Sequence, residues 1–293
     1  MTEVRVAAPR PATLRPAVNA FTVDLEEWFH ICGVPALAPT VWDRLPARIT
    51  PTTTWLLDLL GRRNITATFF VVGWIAERYP ELVRQIAEAG HEIGSHGFWH
   101  RRVFELDRRT FAEDVAASCR ALNDVGVRSV AIFRAPEWSI NDRSLWALDE
   151  LVRLGFRIDA SMAPVKIVGS VTFSREPHHR ATSHGSILEF PPLVADRFGQ
   201  VMPLGWGWGL RMSTPSRVLH TIETLNEIGH PTVLTIHPWE LDLDPPRVKL
   251  PRRLHFAHYF RLNGFRDRLS SILAGARFGP ISELAPAAVH AQS

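Results

Sequence analysis

Cysteine is nearly absent: Cys32 and Cys119 are the only two in 293 residues. They are too few and too isolated to build a disulfide framework or a cysteine metal site, and both read as reduced thiols. Tyrosine is as scarce, with two against ten Trp. Nowhere do 18 apolar residues run together, which argues against a helical membrane span. Residues 1–16 are broken by Pro and Arg and contain no apolar stretch of the secretory-signal kind, so a cytoplasmic location is expected. Charge of one sign is not massed either: 33 Lys and Arg face 30 Asp and Glu, giving a net charge of +3 with a pI near 9.3. The Arg residues are scattered, so nucleic acid is not an expected partner. What remains is 46% hydrophobic and 22% charged, the balance of a soluble chain with a sizeable core, in one large α/β domain or two smaller ones.

Apolar runs of strand length alternate with helical stripes along most of the chain. Strands are expected at 18–25, 67–72, 91–95, 129–133, 156–159, 186–190 and 232–236. Between them the 3.6-residue period predicts helices over 50–63, 74–89, 110–125, 142–154 and 214–228, with a last one near 264–274. Thr110 and Glu113 fit a capping box opening the third of these. The polar stretch 163–185, with His178, His179 and His184, reads as a solvated loop rather than a metal site. Gly205–Gly209, reading G-W-G-W-G, reads as an irregular aromatic loop, and a basic stretch precedes the last helix. No linker divides the series. The expectation is a lead-in at 1–16, a single domain over 17–285 and a tail at 286–293, with parallel strands joined by crossover helices as a barrel or an open sheet.

Residues suited to chemistry stand where the apolar strands stop, which is where α/β folds bind ligands. The first strand ends in Asp24-Leu25-Glu26-Glu27, and strand alternation lets Asp24 and Glu26 share a face. The third runs into Ser95-His96-Gly97-Phe98-Trp99-His100, two imidazoles four residues apart that could face one metal ion. With 13 His in the chain, that spacing carries weight only with partners. Arg134-Ala135-Pro136-Glu137-Trp138 follows the fourth strand, Asp159 ends the fifth, and His237-Pro238-Trp239-Glu240 follows the last.

Taken together these strand ends resemble the NodB-type polysaccharide deacetylases, carbohydrate esterase family 4. Thr22-Val23-Asp24-Leu25-Glu26 is similar to the family's T-F-D-D motif, and Ser95-His96 with His100 to H-[ST]-x-x-H. Arg134-Ala135-Pro136 matches R-x-P, Leu234-Thr235-Ile236-His237-Pro238 matches L-x-x-H, and Asp159-Ala160-Ser161-Met162 is a looser match to the fourth motif. V-D-x-E-x-W-F, F-R-A-P-x-W-S-I and H-P-W-E further resemble the subgroup encoded near exosortase and exopolysaccharide genes, including an extra C-terminal segment over about 245–285. The fold so implied is a distorted (β/α) barrel of about seven parallel strands. One departure stands out. The family's adjacent Asp-Asp pair is here Asp24 and Glu26 with Leu25 between, so Glu26 and Glu27 compete for one ligand position, and the i, i+2 relation favours Glu26.

The reaction this implies is removal of N-acetyl groups from amino sugars of a polysaccharide or a lipid-linked oligosaccharide precursor. Glu26, His96 and His100 would hold a divalent ion, Zn²⁺ by donor type, with Co²⁺, Ni²⁺ or Fe²⁺ able to use the same donors. The ion would make its water a nucleophile near neutrality. Asp24 would act as base, paired to Arg134, and His237 as the acid for the leaving amine. Asp159 would orient His237. Pro136, Trp138, Trp206, Trp208 and Trp239 are the substrate-contact candidates, with an oxyanion-stabilising amide near Pro136–Trp138. Two other readings compete: a hydrolase of small non-peptide amides, allantoinase-like, and a catalytically silent carbohydrate-binding protein.

Overall fold

The apolar runs form strands because most are too hydrophobic for any place but the inside of a parallel sheet. The structure, a computed structural model, describes residues 19–197 and 199–285; the expected lead-in at 1–16, the tail at 286–293 and the first residue of the expected opening strand lie outside these. Strand β1 (Asn19–Leu25) is buried along its whole length, as expected for a strand covered on both faces. It is followed by α1 (Ile49–Arg62), β2 (Thr68–Val71), α2 (Gly73–Arg78), α3 (Pro80–Glu88), β3 (Glu92–Ser95), α4 (Arg108–Asp124), β4 (Ile132–Phe133), α5 (Trp146–Arg153) and β5 (Ile158–Asp159). The second half contributes β6 (His178–Thr182), β7 (Gly185–Glu189), β8 (Val194–Arg197), β9 (Gln200–Pro203), α6 (Gly207–Met212), α7 (Pro215–Glu227), β10 (Val233–Ile236), α8 (Arg252–Tyr259), α9 (Phe265–Gly275) and β11 (Phe278–Gly279).

The main sheet runs β10-β1-β2-β3-β4-β5-β7-β6, with β11 added to the start of β1. From β10 to β7 every neighbouring pair is parallel, and only β6 is antiparallel. The path therefore contains seven mutually parallel strands, consistent with the expected barrel. The outer strands do not pair directly. Loop backbone fills the gap instead: Leu193 N–H donates to Val233 O, and Thr235 N–H donates to Gly205 O at 2.8 Å. Ala20, Phe70, Ile132, Ala160, Leu188, Phe190 and Val233 form a buried cluster drawn largely from the strands, while a larger cluster packs strands against helices.

Several expected elements take another form. The helix expected over 74–89 is two, because Tyr79 adopts φ −130°, ψ 56° before Pro80, where the proline ring disfavours helical backbone in the preceding residue. The stretch read as a solvated histidine loop contains β6, in register with β7 so that His178 faces Glu189 and His179 faces Leu188. Half of the G-W-G-W-G stretch opens α6, and the basic stretch contains α8. Helix α4 begins two residues earlier than expected, and its cap is the Asp107 carboxylate accepting from Thr110 N–H at 2.7 Å rather than a box built on Thr110. Replacing Asp107 by Ala should lower the urea-unfolding midpoint, in line with other N-cap losses, and an unchanged midpoint would remove Asp107 from that role.

Candidate active site

The C-terminal ends of the parallel strands deliver the polar side chains to one cleft of about 250 Å³. Asp24 lies at the end of β1 and Glu26 just past it, His96 and His100 follow β3, Trp138 lies beyond β4 and His237 beyond β10, and all six line it. The loop carrying the two imidazoles is not helical. Gly97 sits at φ +71°, and a Cβ there would lie 2.8 Å from Asp114 Oδ2, so the position suits glycine twice over. Asp114 accepts from Phe98 N–H at 2.7 Å and from Trp99 N–H at 3.3 Å. The loop is thus fastened to α4, and His100 is held at φ 49°.

Glu26, His96 and His100 each present a ligand atom within 4.8 Å of the others, and all three are buried. No other such group of three occurs among the described residues. His96 Nδ1 lies 2.8 Å from Arg134 O, which favours a proton on Nδ1 and leaves the Nε2 lone pair for a metal. His100 Nε2 faces Glu26 Oε2 at 2.5 Å, and Trp239 Nε1–H donates to Glu26 Oε1 at 3.0 Å. Burial alone would raise the Glu26 carboxyl, but the imidazoles of His100 and His237 outweigh it and hold the group well below the usual carboxylate range. An ionised carboxylate beside two imidazoles is a donor set that fits a divalent cation such as zinc.

Glu27 points elsewhere. Its carboxylate accepts from Arg48 N–H at 2.8 Å and Ile49 N–H at 3.0 Å, capping the start of α1 across the chain. Burial pushes it up to about 7 although these backbone donors pull the other way.

Asp24 pairs with Arg134 at 2.8 Å, both side chains being almost fully buried. His96 Nε2 and His237 Nε2 approach the other oxygen of Asp24 at 3.9 and 3.8 Å. Burial would lower His237, but Glu26, Glu240 and Asp24 raise it to about 9. Its orienting partner differs from the one expected. Glu240 Oε2 accepts from His237 N–H and lies 3.0 Å from His237 Nδ1, and its other oxygen pairs with the buried Arg211 at 2.7 Å. Asp159 instead accepts from Ser161 Oγ–H and lies against Glu189 on the neighbouring strand. Glu240 was missed as a functional residue. Its signal was its position three residues after His237 and just past a proline, which is a capping-box spacing.

The tryptophans divide. Trp138 and Trp206 are buried and pack against each other with centroids 4.9 Å apart, while both still line the cleft with the partly exposed Trp208. Trp239 lines the cleft but is 8% exposed and stacks with both His237 and His258, at 5.2 and 4.1 Å, which leaves little of its ring free. Pro136 is buried and has no N–H to offer, and Trp138 N–H is committed to Ala135 O. His30, also absent from the expected set, lines the cleft, lies against His100 at 5.6 Å, and has a buried Nε2 with no hydrogen-bond partner. An isolated His after a W-F pair gave no distinguishing signal.

The fold and the strand-end site together define an α/β barrel with a carboxylate–His–His centre. Residues 39–157 match the polysaccharide deacetylase family model, and residues 160–286 match a domain of unknown function, DUF3473. A peptidoglycan-N-acetylglucosamine deacetylase of Bacillus cereus is 30% identical over 32% of this chain and 35% of its own length. A chitooligosaccharide deacetylase of Sinorhizobium fredii is 32% identical over 31% of this chain and 40% of its own. The matched stretch therefore spans well under half of these curated relatives. A crystal structure of a Mycobacterium smegmatis protein assigned as a polysaccharide deacetylase superposes over 97% of this chain and 96% of that one, with a TM-score of 0.60 at 21% identity. One from Pseudomonas aeruginosa, described as a probable polysaccharide deacetylase, covers 92% and 90% with a TM-score of 0.56 at 16% identity. Residues 39–157 are thus similar to the polysaccharide deacetylases over part of their length, and the two structures show that the chain shares their fold.

Two outcomes follow from these contacts. In calorimetric metal titration, Glu26→Gln and His96→Ala should abolish binding. Glu27→Ala should keep it while losing about 1–3 kcal/mol of stability through the uncapped N–H groups; loss of metal from the Glu27 variant would reverse the two assignments. Burial raises both Asp159 and Glu189, and the negative charge of Asp159 raises Glu189 further, well above its ordinary 4.5. A carboxyl raised by folding binds a proton that the unfolded chain has released, so its contribution worsens as pH rises above 4.5. Glu189→Gln should gain on the parent with rising pH by up to about 1.4 kcal/mol per pH unit. A pH-independent difference in denaturant unfolding would sink this account.

Proposed function

We propose that the protein is a metal-dependent deacetylase that releases acetate from N-acetylated amino sugars of a polysaccharide or its lipid-linked precursor. The observation that carries the reading is the convergence of the Glu26–His96–His100 set with the Asp24–Arg134 pair and His237 in one cleft. The relatives named as peptidoglycan and chitooligosaccharide deacetylases supply the substrate class. The resemblance to the subgroup near exopolysaccharide genes adds an exopolysaccharide to the substrates worth testing.

Glu26, His96 and His100 would hold the ion, which when bound supplies Lewis-acid activation of water and of the acetyl oxygen. Zn²⁺ is the first choice for two imidazoles and a carboxylate. Asp24 receives the proton of the attacking water. Arg134, 2.8 Å from its Oδ1, pairs its charge in the core and fixes its orientation. His237, across the cleft and close to Asp24, donates a proton to the departing amine; amide hydrolysis needs this because an unprotonated amine nitrogen leaves poorly. Glu240, itself anchored by Arg211, sets the ring of His237 and keeps its Nδ1 side engaged, leaving Nε2 toward the cleft. In the Pro136–Trp138 stretch Glu137 N–H is the remaining amide able to face a developing oxyanion. The indole N–H of Trp138 and Nε2 of His30 are buried polar groups without protein partners on residues lining the cleft, suited to substrate hydroxyl or acetyl groups.

The direct test is acetate release from a panel of N-acetylated glycans after chelation and re-addition of single metals; no release with any metal would refute the reading. Asp24→Asn should retain the metal and lose roughly 10²–10⁴-fold in turnover. Glu240→Gln removes a negative neighbour that stabilises the imidazolium, so His237 should lose its proton at lower pH. The alkaline limb of the rate profile should then move toward acid, whereas an unmoved limb would count against Glu240 as the partner of the acid. Turnover of ureides with no release from glycans would favour the small-amide alternative.

A further inference from the structure

We propose that α8 and its flanks form a docking surface for an anionic membrane, placed beside the mouth of the cleft. Between residues 247 and 268 the sequence has seven Lys and Arg (Arg247, Lys249, Arg252, Arg253, Arg261, Arg266 and Arg268) and one acid, Asp267. This concentration contrasts with the near balance of the whole chain. The helix is two-faced. Leu254, Ala257 and His258 turn toward the cleft and line it, and His258 stacks on Trp239 at 4.1 Å. Arg252, Arg253, Phe256 and Phe260 are exposed on the outer side.

Two features of that outer side point to a lipid surface. Phe256 and Phe260 are 43% and 38% exposed, with ring centroids 4.4 Å apart, so a paired apolar step projects into solvent. Close to it in the chain, Lys249, Arg252 and Arg253 are exposed and have no ion pair among the described residues. Exposed aromatics ringed by unpaired cations are what an interfacial helix presents to acyl chains and anionic headgroups. Buried Arg211 secures the helix by donating to the carbonyls of Ala257, His258 and Phe260, so the patch is rigidly placed relative to the cleft. If the proposed deacetylase reading holds, a glycan carried on a lipid would enter the cleft from the surface on which the protein rests. Membrane binding itself does not depend on that reading.

The test is co-sedimentation with vesicles of phosphatidylcholine alone or with roughly a third phosphatidylglycerol, read without any turnover. The full chain should bind the anionic vesicles, bind neutral ones weakly, and release as salt rises from about 0.1 M to about 1 M. Arg252→Glu with Arg253→Glu should weaken binding roughly tenfold or more. Phe256→Ser, checked by circular dichroism and metal titration for an intact fold, should weaken it about threefold to tenfold through lost apolar burial. Absence of vesicle binding, or binding unchanged in both variants, overturns the proposal. Binding to a soluble sulfated polysaccharide with none to vesicles also overturns it, since the patch would then read a polymer. Acetate release from soluble glycans by the charge-reversed variant at the parent rate separates the two proposals, since the docking surface can fail while the active site stands.

Discussion

Arg134 is a guanidinium with almost no solvent exposure, and much of the site hangs from where it sits. It leaves the end of β4 and donates through Nη1 to Thr22 Oγ1 and Asp24 Oδ1, both at 2.8 Å, and through Nε to Ala160 O at 3.0 Å. Its face lies 4.1 Å from the Phe70 ring on β2. Four strands are thereby registered through one side chain. Such a charge is tolerated in a core only if paired; the pairing fixes the rotamer of Asp24, while the buried Nη2 has no hydrogen-bond partner. Its own carbonyl meets His96 Nδ1, so the same residue orients the proposed base through its side chain and a proposed metal ligand through its backbone.

The other wall of the cleft comes from the second half of the chain, which matches a different family model from the first. Arg211 reaches from α6 to Glu240, Glu240 to His237, and Trp239 to Glu26. Glu26, the proposed ligand just past β1, is therefore steadied by an indole following β10, and the two halves meet within one hydrogen-bond network. β10 and β11 both pair with β1, so neither half could fold into this site without the other. The helix that carries His258 against Trp239 turns its basic, aromatic side outward, and the proposed docking surface is in this way one residue layer from the proposed acid.

Strand ends were legible because burial and chemistry coincide there: β1 and β10 are largely apolar and buried up to the residue where a proposed base or acid appears, and β3, though it reads E-I-G-S, is buried just before His96. Asp24, Glu26, His96, His100 and His237 all line one cleft from that signal, with Arg134 buried behind Asp24. Asp159 was placed wrongly because a loose motif match says which strand end a carboxylate occupies, not whether its neighbour on the next strand is another carboxylate; Glu189 is that neighbour. Glu240 went unread because a short turn after a strand looks like packing until the proline at Pro238 fixes it. The tryptophans could not be sorted from sequence, since stacking on a sugar and stacking on histidine demand the same flat ring. The helices α6 and α8 were hidden by Gly and by basic residues, and both are held by tertiary contacts of Arg211 rather than by local propensity.

The clearest case of structure resolving what spacing left open is the Glu26-Glu27 pair. Adjacent carboxylates at the end of a strand cannot share one cation easily, because successive side chains leave opposite faces. Glu26 stays on the face of Asp24 and meets imidazoles; Glu27 crosses to the other side and finds bare N–H groups at the start of α1. Their electrostatics diverge accordingly, with Glu26 held far down by imidazoles and Glu27 raised by burial among neutral donors. A carboxyl near its neutral form makes a poor cation ligand and an adequate cap, while an ionised one beside two imidazole nitrogens makes the reverse. The division of labour between two chemically identical neighbours thus follows from the pleat of the strand, and Leu25, buried between Asp24 and Glu26, is what sets the phase of that pleat.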